Sequence, residues 1–215
     1  MSVIAVIQQK GGVGKSTITA NLAGELLKKG RSVRIIDLDP QESLATWAKL
    51  GNGLLNGLVE PVDPQSPKHF RAALDRIKGQ ADRLLLDCPP GFPDTGLMAA
   101  LVADVALLPV TPSPLDVIAS KKALESIREA QKQRKDRKPL IGFVPSRVAA
   151  NTVLGRDLKE SLKGMGEQIL PTISQRIALA EAVLEGLTLR EYAPSSDGVE
   201  EFQQLANAVE RMVKA

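Results

Sequence analysis

The residues best equipped for chemistry run from Gln9 to Thr17 and read Q-K-G-G-V-G-K-S-T. Gly11, Gly12 and Gly14 leave the backbone free to turn its N–H groups towards one point. A helix beginning at that point adds the positive end of its dipole. With Val13 and Thr17 completing the run, the segment is a cradle for phosphate. Lys15 would reach the terminal phosphates, and Ser16 would offer its hydroxyl to Mg²⁺. The bland alternative is an ordinary strand–turn–helix connection with a capping serine, which does not call for the whole G-K-S-T run.

Acidic residues follow at two places. Val33–Gln41 reads V-R-I-I-D-L-D-P-Q, with Asp37 and Asp39 two positions apart. They share one side of the pleat if the strand continues that far. Leu84–Gly91 reads L-L-L-D-C-P-P-G, an apolar strand ending in Asp87 before a stiff turn. Carboxylates at strand ends can hold the water shell of a metal and orient an attacking water, the tasks that phosphoryl transfer sets a protein. Asp87 is the expected Mg²⁺ holder, acting through water. The Pro-Pro-Gly turn after it is the expected switch whose order follows the terminal phosphate.

Such residues must be carried on strands with helices between them. Val3–Ile7, Val33–Ile36, Arg83–Leu86, Val105–Val110 and Leu140–Val144 are short apolar runs without alternation, as parallel strands buried on both faces require. Lys15–Lys29 places Ile18, Leu22 and Leu26 on one stripe and stops at Gly30. Phe70–Lys78 repeats the spacing with Phe70, Leu74 and Ile77, and Leu115–Gln133 is a long helix with a polar outer side. Thr152–Ala215 reads as mostly helical, with a short strand around Gln168–Leu170. The expectation is one α/β domain over 1–215, a P-loop NTPase fold with a mainly parallel, twisted sheet and helices on both faces.

Composition narrows the function. The 215 residues are 43% hydrophobic and 25% charged, enough for an apolar core, but only 3% aromatic, which disfavours base-stacking platforms. A net charge of +3 confines any nucleic-acid contact to local clusters. The one cysteine, Cys88, excludes an internal disulfide framework and suits a reducing compartment. Val3–Ile7 is too short for a secretory segment, and Leu97–Val110 is interrupted by Asp104 and too short for a bilayer span. A cytoplasmic protein without membrane attachment is expected.

The phosphate loop departs from G-x-x-x-x-G-K-[ST] at Gln9, and a second lysine, Lys10, opens it. Here the chain resembles the deviant Walker A ATPases, the group of ParA, MinD and the nitrogenase iron protein. The resemblance covers nearly the whole chain, and Asp37–Pro40 matches the D-x-D-P motif of that group. It implies that Lys10 crosses a dimer interface to the nucleotide of the other subunit. It also implies that Asp39 serves hydrolysis and that Asp37 supports the magnesium environment. Neither N-K-x-D nor T-K-x-D occurs, so ATP is expected over GTP.

Among the branches, iron–sulfur carriers are disfavoured, because one cysteine per chain cannot supply the four thiolates a [4Fe–4S] cluster takes from a symmetric dimer. A MinD-like or Mrp-like membrane or metal-cluster scaffold is one alternative, and a P-loop small-molecule ligase is another. The final helix, Val199–Val213, has Phe202, Leu205, Val209 and Met212 on one stripe. Its polar side mixes Glu200, Glu201 and Glu210 with Arg211 and Lys214. That pattern favours docking on its own core over a membrane surface. Val110–Asp116 (V-T-P-S-P-L-D) looks like the proline-rich segment of ParF-like proteins, and Thr172–Arg176 and Tyr192–Gly198 fall where those proteins have related segments.

The resemblance therefore implies an ATP-bound homodimer that binds double-stranded DNA without sequence preference. A ParB-like or adaptor protein would stimulate its hydrolysis, and the ATP state would be nucleoid-associated. Its task would be to partition or position a plasmid, a chromosome or a protein organelle such as a carboxysome. Arg134, Lys135, Arg137 and Lys138 form the densest basic cluster, and Lys159 with Lys163 forms a second stripe. Many relatives carry an arginine after the C-terminal proline; here the segment is Tyr192-Ala193-Pro194-Ser195.

Overall fold

The computed structural model describes residues 1–91, 93–149 and 152–215. Strands β1 (Ser2–Val6), β2 (Val33–Asp37), β3 (Val59–Pro61), β4 (Arg83–Asp87), β5 (Val105–Val110), β6 (Leu140–Val148), β7 (Gln168–Ile169) and β8 (Ile173–Ser174) alternate with helices. The helices are α1 (Lys15–Lys28), α2 (Ser43–Leu50), α3 (Pro67–Ile77), α4 (Pro93–Val102), α5 (Pro114–Gln133), α6 (Val153–Lys163), α7 (Ile177–Leu184), α8 (Leu189–Tyr192) and α9 (Asp197–Lys214). The sheet order is β3-β2-β4-β1-β5-β6-β7, with β8 also on β6, and every pairing among the described residues is parallel.

Parallel strands need helical crossovers, and the pleat sorts their side chains between two cores. Ile4, Val6, Ile35, Leu85 and Leu107 face one side, where α1, α2 and α9 pack. Val3, Ala5, Ile36, Leu84, Leu86, Ala106 and Leu108 face the other, with α3, α4 and α5. The expected stripe of α1 is buried at Ile18, Leu22 and Leu26, and Gly30 at φ 76° ends the helix in the left-handed region. In α9, Phe202, Leu205, Val209 and Met212 are buried against the first core. The last helix is thus a core helix. No helix among the described residues is long and apolar enough to cross a membrane.

Four elements lie outside the sequence expectation: β3, α2, α4 and β8. The region Leu97–Val110 divides into the end of α4 and β5, and β6 runs on to Val148 instead of stopping at Val144. β2 ends at Asp37, so Asp39 stands in the following turn and the shared pleat face does not arise.

Gly51 closes α2 with an extended backbone that any residue adopts, yet a Cβ there would lie 2.3 Å from the carbonyl oxygen of Glu185. Backbone cannot yield as a flexible side chain does. Gly51→Ala is therefore expected to lower stability by about 2 kcal/mol, as overpacking does, and an unchanged urea midpoint would contradict the close seating of α2 on the α7–α8 turn.

Candidate nucleotide site

The carboxyl ends of the strands form one edge of the sheet, where an open parallel sheet presents its ligand crevice. The loop between β1 and α1 turns there with Gly12 at φ 75° and Gly14 at φ 91°. Both conformations carry a steric cost for any side chain. A cleft of about 1020 Å³ opens over the loop and is lined by Gly11, Gly12, Gly14, Lys15, Ser16 and Thr17. Val13 is buried beneath it.

Lys15 is 7% exposed, and its Nζ donates to the carbonyl oxygen of Lys10 at 3.1 Å. Burial lowers its pKa, against the opposing attraction of Asp87, Cys88 and Asp39. A buried ammonium stripped of water gains from an anion brought within reach. The cleft places that anion at the loop's amides.

Asp87 is fully buried at the end of β4. Its Oδ1 accepts from the Thr19 hydroxyl at 3.2 Å, while Oδ2 has no hydrogen-bond partner. Burial pushes its pKa up to about 7. The Ser16 hydroxyl and Lys15 act the other way, and Asp37 adds to the rise. An orphaned carboxylate oxygen beside a serine hydroxyl fits a hydrated Mg²⁺ that arrives with a nucleotide. Among the described residues no group of three or more His, Cys, Asp or Glu could hold a metal alone, so the phosphates would have to contribute oxygens.

The other two acids divide differently from the sequence reading. Asp37 is wholly buried; its Oδ1 accepts from Asp39 N at 3.0 Å, and its Oδ2 from Leu44 N at 3.1 Å and Ala45 N at 3.0 Å. Both oxygens thus serve backbone amides, and the carboxylate caps α2 and shapes the turn that carries Asp39. Burial raises the pKa of Asp37, while the amide bonds from Ala45 and Asp39 counteract it. Asp39 is half-buried, lines the cleft with Lys15 and Ser16, and accepts from Gln41 N at 2.9 Å. The turn after Asp87 also meets the loop, with Gly91 N donating to Gln9 O at 2.8 Å and Pro90 lining the cleft.

Lys10 behaves unlike Lys15. Its side chain is 47% exposed, and its Nζ lies 3.6 Å from Oδ1 of Asp116 in the first turn of α5. Asp116 is itself held by the Thr111 hydroxyl, so the proline-rich segment anchors the lysine outside its own cleft. Thr111, Pro112 and Asp116 border a second cavity of about 540 Å³ beside the loop.

Sequence reasoning missed Ser146 and Arg147, which line the cleft with Ile173–Ile177. The apolar run that marked β6 fades before them, and nothing in the residue types shows that β6 continues to the loop.

The two basic groups sit on different elements. Arg134 follows α5 and donates to the carbonyl oxygens of Leu101 at 3.1 Å and Ala103 at 2.5 Å, and its fork pairs with Asp136. Lys138 pairs with Asp104 at 3.0 Å. Only Lys135 and Arg137 of the four are exposed, and all four lie at the start of β6, at the amino edge of the sheet. Strand rise puts that edge about 26 Å from the loop. Lys159 and Lys163 are exposed in the second half of α6, which begins at the nucleotide edge and runs back towards the amino edge, and Lys163 pairs with Glu160 at 2.6 Å.

The model of the CobQ/CobB/MinD/ParA nucleotide-binding domain matches residues 4–189. The carboxysome distribution protein A of Halothiobacillus neapolitanus is 29% identical over 96% of this chain and 95% of its own length. The chromosome-partitioning ATPase Soj of Thermus thermophilus is 31% identical, covering 96% of this chain and 94% of that protein. Among solved structures, the ATP complex of Cyanothece McdA superimposes with a TM-score of 0.78 at 19% identity, over 100% of this chain and 96% of that one.

Proposed function

The chain belongs to the CobQ/CobB/MinD/ParA nucleotide-binding family as a ParA/MinD-type ATPase, and on that premise we propose that it is a switch which dimerises around ATP and positions an intracellular cargo over DNA. One observation carries the dimer. Leu115 and Ile118 on α5, Val153 and Leu154 on α6, and Ile177 on α7 are between 54% and 79% exposed. All sit in the opening turns of helices that start at the nucleotide edge. An apolar rim around the nucleotide cleft is the surface a second copy would cover. Lys10, already outside its own cleft, would then face the partner's nucleotide.

Within each cleft, the amides of Gly11–Gly14 and the start of α1 bind the phosphates, and Lys15 neutralises the terminal ones. Ser16 and Asp87 hold a hydrated Mg²⁺, which when bound offsets charge on the phosphate oxygens. Asp37 fixes the turn, and Asp39 orients the attacking water. Hydrolysis in this reading is slow, is stimulated by a ParB-like or adaptor protein, and resets the dimer. A single domain over 1–215, a cytoplasmic location and nucleoid association in the ATP state complete the proposal. The cargo belongs to the class served by such proteins: a plasmid, a chromosome or a protein organelle such as a carboxysome.

In this reading the DNA contact lies on α6 and not on the 134–138 cluster. A face-to-face dimer puts the two 134–138 clusters at its far ends, whereas the two α6 helices start at the joined edge. From that edge Arg156, Lys159 and Lys163 run back along one exposed face of α6, Arg156 nearest the joined edge and Lys163 furthest from it. The ATP state is expected to bind duplex DNA without sequence preference and to lose affinity steeply with salt, because phosphate contacts release counterions. Lys159→Glu with Lys163→Glu should remove DNA retention in the ATP state. Lys135→Glu with Arg137→Glu, which spares the inward-tied Arg134 and Lys138, should retain most of it. The reverse pattern in a salt-titrated binding assay would return the contact to the amino edge.

A further inference from the structure

A phosphate cradle needs its amides turned inwards, so its carbonyls must turn outwards and find donors elsewhere. Three carbonyls of this loop are held by side chains. Lys15 takes Lys10 O, and the other two are met from the end of β6. Ser146 Oγ donates to Val13 O at 2.8 Å, and Arg147 Nη1 donates to Gly12 O at 2.7 Å. Ser146 is 2% exposed, and a Cβ on Gly14 would sit 3.0 Å from its hydroxyl, so the loop is seated against it.

Arg147 reaches the loop through an irregular backbone. The β6–β8 register shifts between Ser146 and Val148, which makes Arg147 the inserted residue of a bulge. Its φ is 53°, in the left-handed region that glycine favours. A bulge re-aims a side chain and is enriched beside functional sites. Arginine in this conformation costs stability that glycine would not. Core packing does not account for it, because the side chain is exposed. Its hydrogen bond to Gly12 O does.

We propose that Ser146 and Arg147 clamp the phosphate loop from its carbonyl side and hold it ready for the nucleotide. They are positioning residues: they act on Gly12 and Val13, not on the reacting atoms. The inference rests on the reading of this cleft as the ATP site. A preformed loop spares the nucleotide the ordering cost, so the clamp strengthens ATP and ADP binding alike.

The test separates local ordering from general stability. Arg147→Gly removes the guanidinium while relaxing φ 53°, so the thermal midpoint without nucleotide should hold or rise. Affinity for ATP and for ADP, each measured by calorimetric titration with Mg²⁺, should fall by similar factors of about ten. Arg147→Lys, which keeps one cationic donor, should recover part of the loss. Unchanged affinity in a folded Arg147→Gly protein overturns the clamp, as does a midpoint that falls together with affinity. A loss confined to ATP also overturns it, because Arg147 would then be touching the terminal phosphate or a partner. Wild-type protein that binds neither nucleotide would instead remove the underlying reading of the cleft.

Discussion

Lys15→Ala is expected to abolish ATP binding at any practical concentration. The side chain is the buried cation of the cleft, and burial has already lowered its pKa, so its charge is poorly compensated until an anion arrives. Alanine removes that attraction and leaves the phosphates of a bound nucleotide without their buried counterion. Unpairing a buried charge costs about 3–5 kcal/mol, or roughly two to four orders of magnitude in affinity. The loop should survive the change, because Ser146 and Arg147 still hold Val13 and Gly12. Calorimetric titration should therefore show a folded protein without detectable heat of ATP binding. Near-normal affinity would mean that the phosphates lie elsewhere.

Asp39→Ala separates binding from turnover. Asp39 lines the cleft from a turn beyond β2, while the buried contacts that shape the turn belong to Asp37. Alanine at 39 should leave the loop, Lys15 and the Ser16–Asp87 pair in place, so ATP affinity is retained. Loss of a positioned acid or base costs on the order of a hundredfold in rate or more. Phosphate release under saturating ATP should fall to background. Turnover equal to wild type would remove Asp39 from the mechanism. Asp37→Ala offers the contrast: it unseats the amides of α2 and should reduce folding stability along with activity.

The phosphate loop, the strand-end acids and the alternation of strands and helices were legible because each rests on a local pattern. Glycines, a lysine and a serine follow an apolar run, and a carboxylate closes one. What stayed hidden depends on distant parts of the chain meeting. Asp37 and Asp39 look equivalent in D-x-D-P, and only the docking of α2 assigns Asp37 to backbone amides. Ser146 and Arg147 carry no phosphate signature and matter because β6 runs next to β5, far enough to meet Gly12 and Val13. The basic run at 134–138 is dense in sequence, yet Arg134 is drawn inwards by the carbonyls of Leu101 and Ala103. The helix α4 was obscured because its apolar residues continue into β5 with little interruption.

Dimerisation around ATP is the central claim, and sedimentation velocity of the Asp39→Ala protein tests it most directly. With ATP and Mg²⁺ at tens of micromolar protein, about tenfold or more above a micromolar Kd, the boundary should move as a dimer. With ADP it should move as a monomer. Adding Lys10→Ala should return the ATP sample to monomer while ATP affinity in the monomer persists, since Lys10 stands on Asp116 outside its own cleft. A monomer in ATP despite saturating nucleotide would contradict the account, and so would a dimer that is indifferent both to nucleotide and to Lys10.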